Sequence, residues 1–518
     1  MYVKDSFFRR LLYRGCVTSF CLGLGYLLLA AQQELLPPSQ DDFNTIVPLT
    51  PFDFVSSGHA TTTLPDKIVT ETPQVPVADT TIPVVSKVIP DIVDNVRGGF
   101  LEPQTAQTLR PFINATGSWL PHERKAFTFP SPYNTRAYRI TTPEDCGGKD
   151  CVESIGYSYW SNMNNSAGLD SVHLVVTLNI SHGGEGPTLF SLNKVTEKIE
   201  RLGSLFNVND VRRFATGEGW YFSLTAPAML YIQETPISPS LERYIIFSRT
   251  VSKVFDISSR ADIFGTDRYV SQLHTSSDDS VHSFTVKASY NYESLGCGVY
   301  FEATDIFEYF PIIGTEYDEC QIDKSGQYLI IKEQIDGKDG EDNRIINLIT
   351  KKEIRLYDRE GAAGHSDLGF RYMLAVDNWY ESPVIRLWKL NTDPLAYGAV
   401  AYREPSWTTT SINHPSWNNA RDESLASQYA CGSGVNTKSG PRTNEVVCFR
   451  VDGTGEALIV APVMTDLDAS GGGGDDYVQA PKGNIDPTGE YFIWSSNQGG
   501  DRQDVYVVKV PWQRLFGY

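Results

Sequence analysis

The sequence is poor in positive charge and in stretches with helical periodicity. It contains 44 Lys and Arg against 63 Asp and Glu, which gives a formal net charge of -19 at pH 7. An acidic surface repels phosphate backbones, so outside a locally basic cleft the composition argues against nucleic acid as a partner. Aromatic residues make up 12% and charged residues 21% of the chain, which is typical of a globular protein and excludes a disordered one.

The N-terminal apolar run is too short for a comfortable membrane span. It covers Cys16 to Ala31 and follows a basic segment from Lys4 to Arg14, whereas a spanning helix needs about 20 apolar residues. We therefore expect a signal peptide over residues 1–31. The segment matches a signal-peptidase cleavage site poorly, because Leu29 stands where a small residue is preferred. An uncleaved membrane anchor is therefore the alternative. Either way we expect a secreted, periplasmic or membrane-anchored protein that faces away from the cytoplasm.

Cysteines are few, 8 in 518 residues, and six of them follow this export segment. In an oxidising compartment such cysteines form disulfides. The stretch "CGGKDC" (146–151) can close a short loop, and Cys431 and Cys448 flank a candidate hairpin. Cys297 and Cys320 are left, and the sequence does not decide whether they pair.

Residues 32–105 lack a clear structural element. They are rich in Pro, Thr and Val without helical periodicity, which predicts an extended spacer. In the rest of the chain, "SLNKVTEKIERLGSLF" (191–206) is the best helical candidate, although a turn between two strands explains it equally well.

Beyond about residue 130, short runs of alternating or β-branched residues recur between Gly, Asp, Asn and Ser. Polar turns that lead into apolar strands occur at Asp170, Gly219, Asp279, Gly326, Gly369 and Gly489. Their spacings are 49, 60, 47, 43 and 120, and the last gap holds a degenerate copy around His414. Four-stranded propeller blades repeat about every 40–50 residues. We therefore predict an all-β, seven-bladed β-propeller over residues 106–518, monomeric, behind the extended spacer. The alternative is a pair of β-sandwiches.

The last repeat carries a family resemblance. The stretch "DPTGEYFIWSSNQGGDRQDVYVVKV" (486–510) resembles the closing blade of TolB-like propellers. Those have a Gly-containing turn before a strand that ends in Ser-Asn, and then an Asp-x-Tyr-x-Val strand. The resemblance covers residues 150–518. It implies the fold, and for function it implies at most the binding of a protein.

Four chemically reactive residues fall at a similar phase of successive repeats. They are His274, Cys320, His365 and His414, with separations of 46, 45 and 49. The first strand of each blade lines the central channel, so residues at strand entries converge on one face. Imidazole and thiolate together suit a divalent metal, zinc above all. The neighbouring carboxylates that can hold or assist these ligands are Asp278, Glu319 and Asp367.

Two alternatives to this metal site stay open. Polar residues at strand entries also cap turns or bond the neighbouring blade. In an exported protein, moreover, Cys320 can pair with Cys297, which would dismantle the cluster.

The chain is also similar to secreted propeller-type polysaccharide lyases of the oligogalacturonate lyase and ulvan lyase type. That resemblance implies a metal held by histidines near the axis. β-Elimination at a uronate requires that the carboxylate is neutralised and that a base takes the C5 proton. The residues proposed for catalysis are His365, Tyr317 and Arg371, and those proposed for saccharide contact are Trp379, Trp417 and Lys482. The chain departs from these families in lacking a compact His-x-His pair, and "APVMTDLDAS" (461–470) holds no histidine.

A carboxylate-rich loop, "DGKDGEDNR" (336–344), is a second candidate metal site. Asp336, Asp339 and Asp342 offer the oxygen ligands that calcium prefers. The loop lacks the spacing of an EF-hand, and a solvated hairpin tip is the alternative.

These observations predict an exported, carbohydrate-directed propeller whose partner is a polysaccharide or oligosaccharide. A metal-assisted polysaccharide lyase is the preferred activity, and whether the protein is an enzyme stays open. The alternative is a noncatalytic TolB-like propeller that binds a protein or glycan at the cell envelope. A glycoside hydrolase would need a pair of catalytic carboxylates, and the sequence does not place such a pair.

Overall fold

The computed structural model describes residues 97–113, 118–214, 220–338, 340–357, 363–377, 384–391, 398–404, 414–436 and 440–517. The predicted signal peptide and most of the predicted spacer lie outside this part of the chain. Within it, no helix has the length and apolar character that a membrane crossing requires.

Three short strands precede the first complete blade. They are β1 (Phe100–Glu102), β2 (Ala126–Thr128) and β3 (Arg136–Arg139). Blade 1 consists of β4 (Val152–Ser154), β5 (Ser171–Leu178), β6 (Gly186–Asn193) and β7 (Ile199–Ser204). Blade 2 consists of β8 (Tyr221–Phe222), β9 (Met229–Ile232), β10 (Ser240–Ile245) and β11 (Thr250–Asp256). Blade 3 consists of β12 (Arg268–Thr275), β13 (Val281–Ala288), β14 (Ser294–Phe301) and β15 (Ile306–Pro311).

The other four sheets complete a ring of seven. Blade 4 consists of β16 (Cys320–Ile322), β17 (Tyr328–Glu333), β18 (Asp342–Asn347) and β19 (Glu353–Leu356). Blade 5 consists of β20 (Ala363–Leu368), β21 (Tyr372–Asp377), β22 (Val384–Lys389) and β23 (Ala399–Arg403). Blade 6 contains β24 (His414–Ser416), β25 (Tyr429–Ser433), β26 (Glu445–Arg450) and β27 (Ala457–Pro462). Blade 7 contains β28 (Asn484–Ile485), β29 (Tyr491–Ser496) and β30 (Asp504–Lys509).

Helices in the described residues are short and connect strands. The α-helices are α1 (Ala261–Phe264) and α2 (Asp476–Gln479). The 3-10 helices are Pro143–Cys146, Ile180–His182, Val211–Phe214, Ile257–Arg260, Leu425–Ser427 and Trp512–Phe516. The prediction of an all-β, seven-bladed propeller is confirmed.

The ring is closed by strands from both ends of the described chain. Blade 7 has the order β2-β3-β30-β29-β28, so the N-terminal strand β3 pairs with the C-terminal strand β30. Strand β1 adds a fifth strand to the outer edge of blade 6 by pairing with β27. The propeller therefore includes Phe100–Glu102 and begins upstream of the predicted boundary at residue 106.

The strands bury both faces because each blade packs between two neighbours. Every residue of β29 is buried, and so is every residue of β30 except Lys509. Sheets covered on both faces need apolar side chains at successive positions, which the run "DVYVVK" supplies. The sequence alternation is accordingly weaker in these blades than in a sheet with one solvated face.

Most of the predicted turns lie where the repeat placed them. Asp279, Gly326, Gly369 and Gly489 connect the first and second strands of blades 3, 4, 5 and 7. Gly326 and Gly489 have φ values of 69° and 80°, a region that favours glycine. The helical candidate at 191–206 is instead the end of β6, a turn and β7, so the turn alternative is correct. Gly219 lies outside the described residues.

All six cysteines of the described region form disulfides. Cys146 pairs with Cys151, and Cys431 pairs with Cys448 across β25 and β26. The remaining pair, Cys297 and Cys320, joins β14 of blade 3 to β16 of blade 4.

Candidate functional site

The first strand of blade 1 is interrupted by a segment that enters the centre of the ring. Strand β4 pairs with one end of β5, and Met163 bridges to Leu174 further along the same strand. Residues 155–162, here called the channel insert, lie between these two pairings. The insert contacts blade 2 through a Ser161–Tyr221 bridge and blade 6 through a 2.7 Å hydrogen bond from Asn418 to the Trp160 carbonyl.

A glycine makes the turn of the channel insert possible. Gly156 has a φ of 88°, and a Cβ atom there would lie 1.9 Å from Cε3 of Trp160. The insert carries Tyr157 and Tyr159, whose rings stack with centroids 5.6 Å apart. Sequence reasoning missed these tyrosines. The available signal is the run "GYSYWSN" (156–162), which is too aromatic for the polar loop that follows an inner strand.

On one side of the insert lies a group here called the entry cluster, because most of its members lie where the chain enters the inner strands of blades 5, 6 and 7. Its members are Tyr157, His365, His414, Tyr477 and Lys482. The His365 and His414 rings stack with centroids 4.0 Å apart, and the Tyr157 ring lies 5.6 Å from His414. The Lys482 ammonium lies 3.5 Å from the Tyr477 ring centroid and 5.7 Å from that of Tyr157. Such distances are typical of cation–π contacts.

The charge state of the entry cluster follows from its burial. Burial, with His365, Lys482 and Lys332 as neighbouring positive groups, holds the pKa of His414 well below its usual value. His414 is therefore neutral at neutral pH. Its Nε2 is buried without a hydrogen-bond partner among the described residues. The cluster thus combines aromatic faces, a buried ammonium and an unused imidazole nitrogen.

His274 lies in a different group, here called the central network, with Tyr159, Tyr221, Glu319 and Lys332. Its Nδ1 is 2.9 Å from the Tyr221 hydroxyl, and its Nε2 is 3.9 Å from Glu319 Oε2. Tyr159 donates a 2.9 Å hydrogen bond to the same Glu319 oxygen. Burial opposes ionisation of Glu319, but Lys332 and His274 outweigh it and lower its pKa.

The predicted common phase of the four ligands is wrong for His274. The turns that follow the inner strands of blades 3 and 5 are each closed by a backbone hydrogen bond. In blade 3 the Ser276 amide donates to the Val281 carbonyl, and in blade 5 the Gly369 amide donates to the Tyr372 carbonyl. His274 and Asp367 both lie two residues before these donors, so His274 is the counterpart of Asp367 and not of His365. Equal spacing in sequence failed because the loops before the inner strands differ in length.

Cys320 is not available as a ligand, because its sulfur is bonded to Cys297. The prediction of a thiolate ligand there is wrong, and the alternative pairing is correct. Among the residues that the structure describes, no group of three or more His, Cys, Asp or Glu side chains is arranged to hold a metal ion. These residues therefore do not fit the zinc site that the sequence predicted.

The proposed catalytic partners of His365 lie elsewhere. Tyr317 places its hydroxyl 3.0 Å from Thr285 between blades 3 and 4, and burial raises its pKa, so the phenol stays protonated. Arg371 lies in the turn after β20, at the opposite end of that strand from His365. Its guanidinium donates to Gln327 at 2.9 Å and pairs with Glu423 at 2.9 Å.

Of the two proposed saccharide-contacting residues that the structure describes, Lys482 joins the entry cluster and Trp417 does not. Trp417 is 0% exposed and cannot stack on a sugar. Its amide donates to Asp367, its carbonyl accepts from Lys324 at 2.7 Å, and its ring packs against Gly369. Trp379 lies outside the described residues.

The predicted calcium loop uses its carboxylates to hold its own backbone. Asp342 accepts the amides of Ile335 and Asp336 at 2.7 and 3.0 Å, and Asp336 accepts the amide of Lys338 at 2.9 Å. Asp339 lies outside the described residues. Within the rest of the loop the contacts are those of a hairpin tip, which was the alternative interpretation. Of the other acidic candidates, Asp278 bonds Ser276 and Ser280 in its own turn.

Tyr159, Tyr221 and His274 of the central network also line a small cavity. It has a volume of about 50 Å³, and its lining includes Ser161, Tyr221, His274, Lys324 and Asp367. Burial lowers the pKa of Lys324 to about 8, against the opposing effect of Asp367. Small-molecule sites usually enclose about 300–1,000 Å³. A cavity of this volume has room for ordered water and is too small for a sugar.

Comparisons with known proteins agree with the fold. No family model matches the chain, and no curated protein matches it. An oligogalacturonate lyase in complex with manganese is similar at a TM-score of 0.50 and 12% identity, over 81% of this chain and 100% of that chain. The oligogalacturonate lyase of Vibrio parahaemolyticus is similar at a TM-score of 0.50 and 10% identity, over 75% of this chain and 97% of that chain.

TolB from Acinetobacter baumannii is also similar, at a TM-score of 0.35 and 14% identity, over 56% of this chain and 63% of that chain. At such identities the two lyases show the fold alone. Together with the seven blades, they confirm the propeller fold predicted from the sequence repeats, which the resemblance to TolB-like and lyase-type propellers also implied.

Proposed function

We propose that this chain is an exported, carbohydrate-directed propeller that binds a saccharide at the entry cluster. The observation that carries the proposal is the arrangement of the half-buried rings of Tyr157 and Tyr477 around the buried ammonium of Lys482. Amphipathic rings with a few fixed polar groups are what a site for a polar, ring-shaped ligand requires. The unpartnered Nε2 of His414 adds a group that can bond a hydroxyl or accept a proton.

An acidic saccharide is the ligand class that suits these groups. Lys482 supplies a positive charge in a site sheltered from water, where attraction to a carboxylate is stronger than in bulk solvent. The two similar solved structures are named as oligogalacturonate lyases, which makes a uronate oligomer the first ligand to test.

The same groups have the chemistry for β-elimination at a uronate. Lys482 can neutralise the carboxylate, and His414, which is neutral at neutral pH, can take the C5 proton. The electrons of that C–H bond form the C4–C5 double bond as the C4–O glycosidic bond breaks, and the leaving oxygen takes a proton from the His414 imidazolium or from water. The described residues offer no three-ligand set for the manganese that one similar structure contains. No step of the proposed elimination is therefore assigned to a metal ion.

The disulfides support export. All three pairs among the described cysteines are formed, including one between two blades. Disulfides of this kind persist in oxidising compartments and are rare in the cytosol.

The test is calorimetric titration of the full-length protein with oligogalacturonate and with a neutral galactose oligomer of equal length. We expect the acidic oligomer to bind and Tyr157→Ala and Lys482→Met to weaken it about tenfold each, or about 1.4 kcal/mol. Tyr290→Ala is the matched control, because Tyr290 is 75% exposed in the turn after β13.

The outcomes separate the proposal from its alternatives. Unchanged affinity in both entry-cluster variants, or no binding of either oligomer, would overturn saccharide binding at this site. Binding without formation of unsaturated product, followed by ultraviolet absorbance, would identify a noncatalytic glycan-binding propeller.

A further inference from the structure

We propose that the ammonium of Lys332 is the resident cation of the channel centre and occupies the place that a divalent metal ion would need. Lys332 lies on β17 and is 2% exposed. Its Nζ donates a 2.8 Å hydrogen bond to Glu319 Oε1. The inference stands apart from saccharide binding, because it concerns what fills the centre of the protein before any ligand arrives.

Carboxyl groups from the segments that precede β16 and β18 act electrostatically on this ammonium. The backbone holds two of them in place, since the Asp318 amide donates to the Lys332 carbonyl and the Lys332 amide donates to the Glu319 carbonyl, at 3.0 and 2.9 Å. On the other side, Lys332 is in register with Asn343 of β18, two residues after Glu341. Glu341 precedes that strand, and its carboxyl group is one of those that raise the pKa of Lys332. A set of carboxyl groups attracts a cation, and here a covalently held one supplies the charge.

Glu319 has little capacity left for a metal. Its Oε1 accepts from Lys332 and from Gln321, at 2.8 Å each, and its Oε2 accepts from Tyr159 at 2.9 Å. A divalent ion would have to displace these donors and then lie beside the ammonium. Two like charges at hydrogen-bond distance in a buried site repel strongly.

The histidines are shielded from a metal in the same way. Lys332 and Lys482 both act electrostatically on His414 and disfavour positive charge there. His274 already has its Nδ1 beside the Tyr221 hydroxyl. The ammonium therefore explains why these histidines and carboxylates do not form a metal site, although the sequence contains all of them.

The test is a manganese titration of the full-length protein after treatment with a chelator, with free Mn²⁺ followed by its electron paramagnetic resonance signal. We expect the wild type to bind no stoichiometric Mn²⁺. Lys332→Met should bind Mn²⁺ at least about tenfold more tightly, because it leaves the carboxyl groups without their cation. Lys332→Arg keeps the charge and should behave as wild type. Lys338→Met, which removes an exposed lysine of the same blade, should also behave as wild type.

Stoichiometric metal in the purified wild type, or equal Mn²⁺ affinity in wild type and Lys332→Met, would overturn the inference. The metal content of the wild type tests the inference even when Lys332→Met fails to fold. A double variant, Lys332→Met with Glu319→Gln, removes both charges of the pair and should fold with Mn²⁺ affinity below that of the single variant. Loss of saccharide binding with a metal-free wild type would overturn the proposed function and leave this inference intact.

Discussion

Arg139 and Asp504 form a buried ion pair between β3 and β30, the strands that close the ring from its two ends. The Thr141 hydroxyl donates to the same carboxylate at 2.9 Å, and Arg139 also donates to the Thr141 and Pro121 carbonyls at 3.1 and 2.6 Å. The closure of the propeller therefore depends on a polar network that is fully enclosed, in addition to the strand pairing.

Removal of the Asp504 carboxylate should weaken this closure. In Asp504→Ala the Arg139 guanidinium stays buried without its carboxylate, and breaking such a pair costs about 3–5 kcal/mol. The free energy of unfolding, measured with denaturant, should fall by that amount. Asp501→Ala, an exposed carboxylate of the same hairpin, should change it by less than about 0.5 kcal/mol. Equal losses in the two variants would contradict a special role of the pair.

Asp150 should position the loop that carries Tyr477 and Lys482. It lies in the loop closed by Cys146 and Cys151, and its carboxylate accepts the amides of Gly472 at 2.6 Å and Gln503 at 2.9 Å. Asp150→Ala leaves both donors without this partner, which costs about 1–3 kcal/mol. We expect faster hydrogen exchange at the two amides, whether or not a saccharide binds.

If the entry cluster binds saccharide as proposed, Asp150→Ala should also lower the affinity without touching the ligand. Asp150→Glu, which keeps the carboxylate, should restore part of both properties. Asp468→Ala, an exposed carboxylate of the same loop, is the control. Unchanged exchange at Gly472 and Gln503 would rule out the positioning role.

The disulfide between blades should contribute more to stability than to any chemistry. Cys297 and Cys320 are both 0% exposed and pack in one apolar cluster with Val281, Val299 and Leu329. A cross-link that closes a loop of 23 residues stabilises a protein by about 3 kcal/mol in the chain-entropy model. The double variant Cys297→Ala with Cys320→Ala should lose about that much in denaturant unfolding. Its zinc content, by elemental analysis, should equal that of the wild type, whereas a loss of bound zinc would restore Cys320 as a ligand.

The blades were predictable from the sequence because turn chemistry repeats locally. Gly326 and Gly489 sit in turns whose left-handed backbone favours glycine, so the residues themselves mark the blades. The site was less predictable, because it depends on how far each inner strand extends. His274 lies near the end of an eight-residue strand, whereas His414 begins a three-residue strand. Equal spacing in the sequence therefore did not place the two histidines at the same position along their inner strands.

The channel insert was not predictable from repeats at all, because it interrupts one. Tyr157 and Tyr159 lie in a segment that departs from the blade pattern between two pairings of the same strand. Cys320 illustrates a second limit, since the sequence offered a ligand and a disulfide equally and only the packing of blade 3 against blade 4 decided between them.

Glu341 should make stability depend on pH. Burial, together with repulsion from Asp318, raises the pKa of Glu341 to about 8 from an ordinary value of 4.5. The folded state then holds a proton that the unfolded state has lost, so this contribution is complete below pH 4.5. It diminishes as pH rises and is lost once the pH passes about 8.

Glu341→Gln keeps the shape and hydrogen bonding of the protonated acid without the ionisation. Relative to the wild type, the variant should therefore gain thermal stability from about pH 5 to about pH 8 and change little above that, as measured by the midpoint of thermal unfolding. Glu316→Gln, at an exposed glutamate in the connection between β15 and β16, should run parallel to the wild type across that range. A constant difference between Glu341→Gln and wild type at all pH values would show that Glu341 titrates alike in the folded and unfolded protein, and would contradict this prediction.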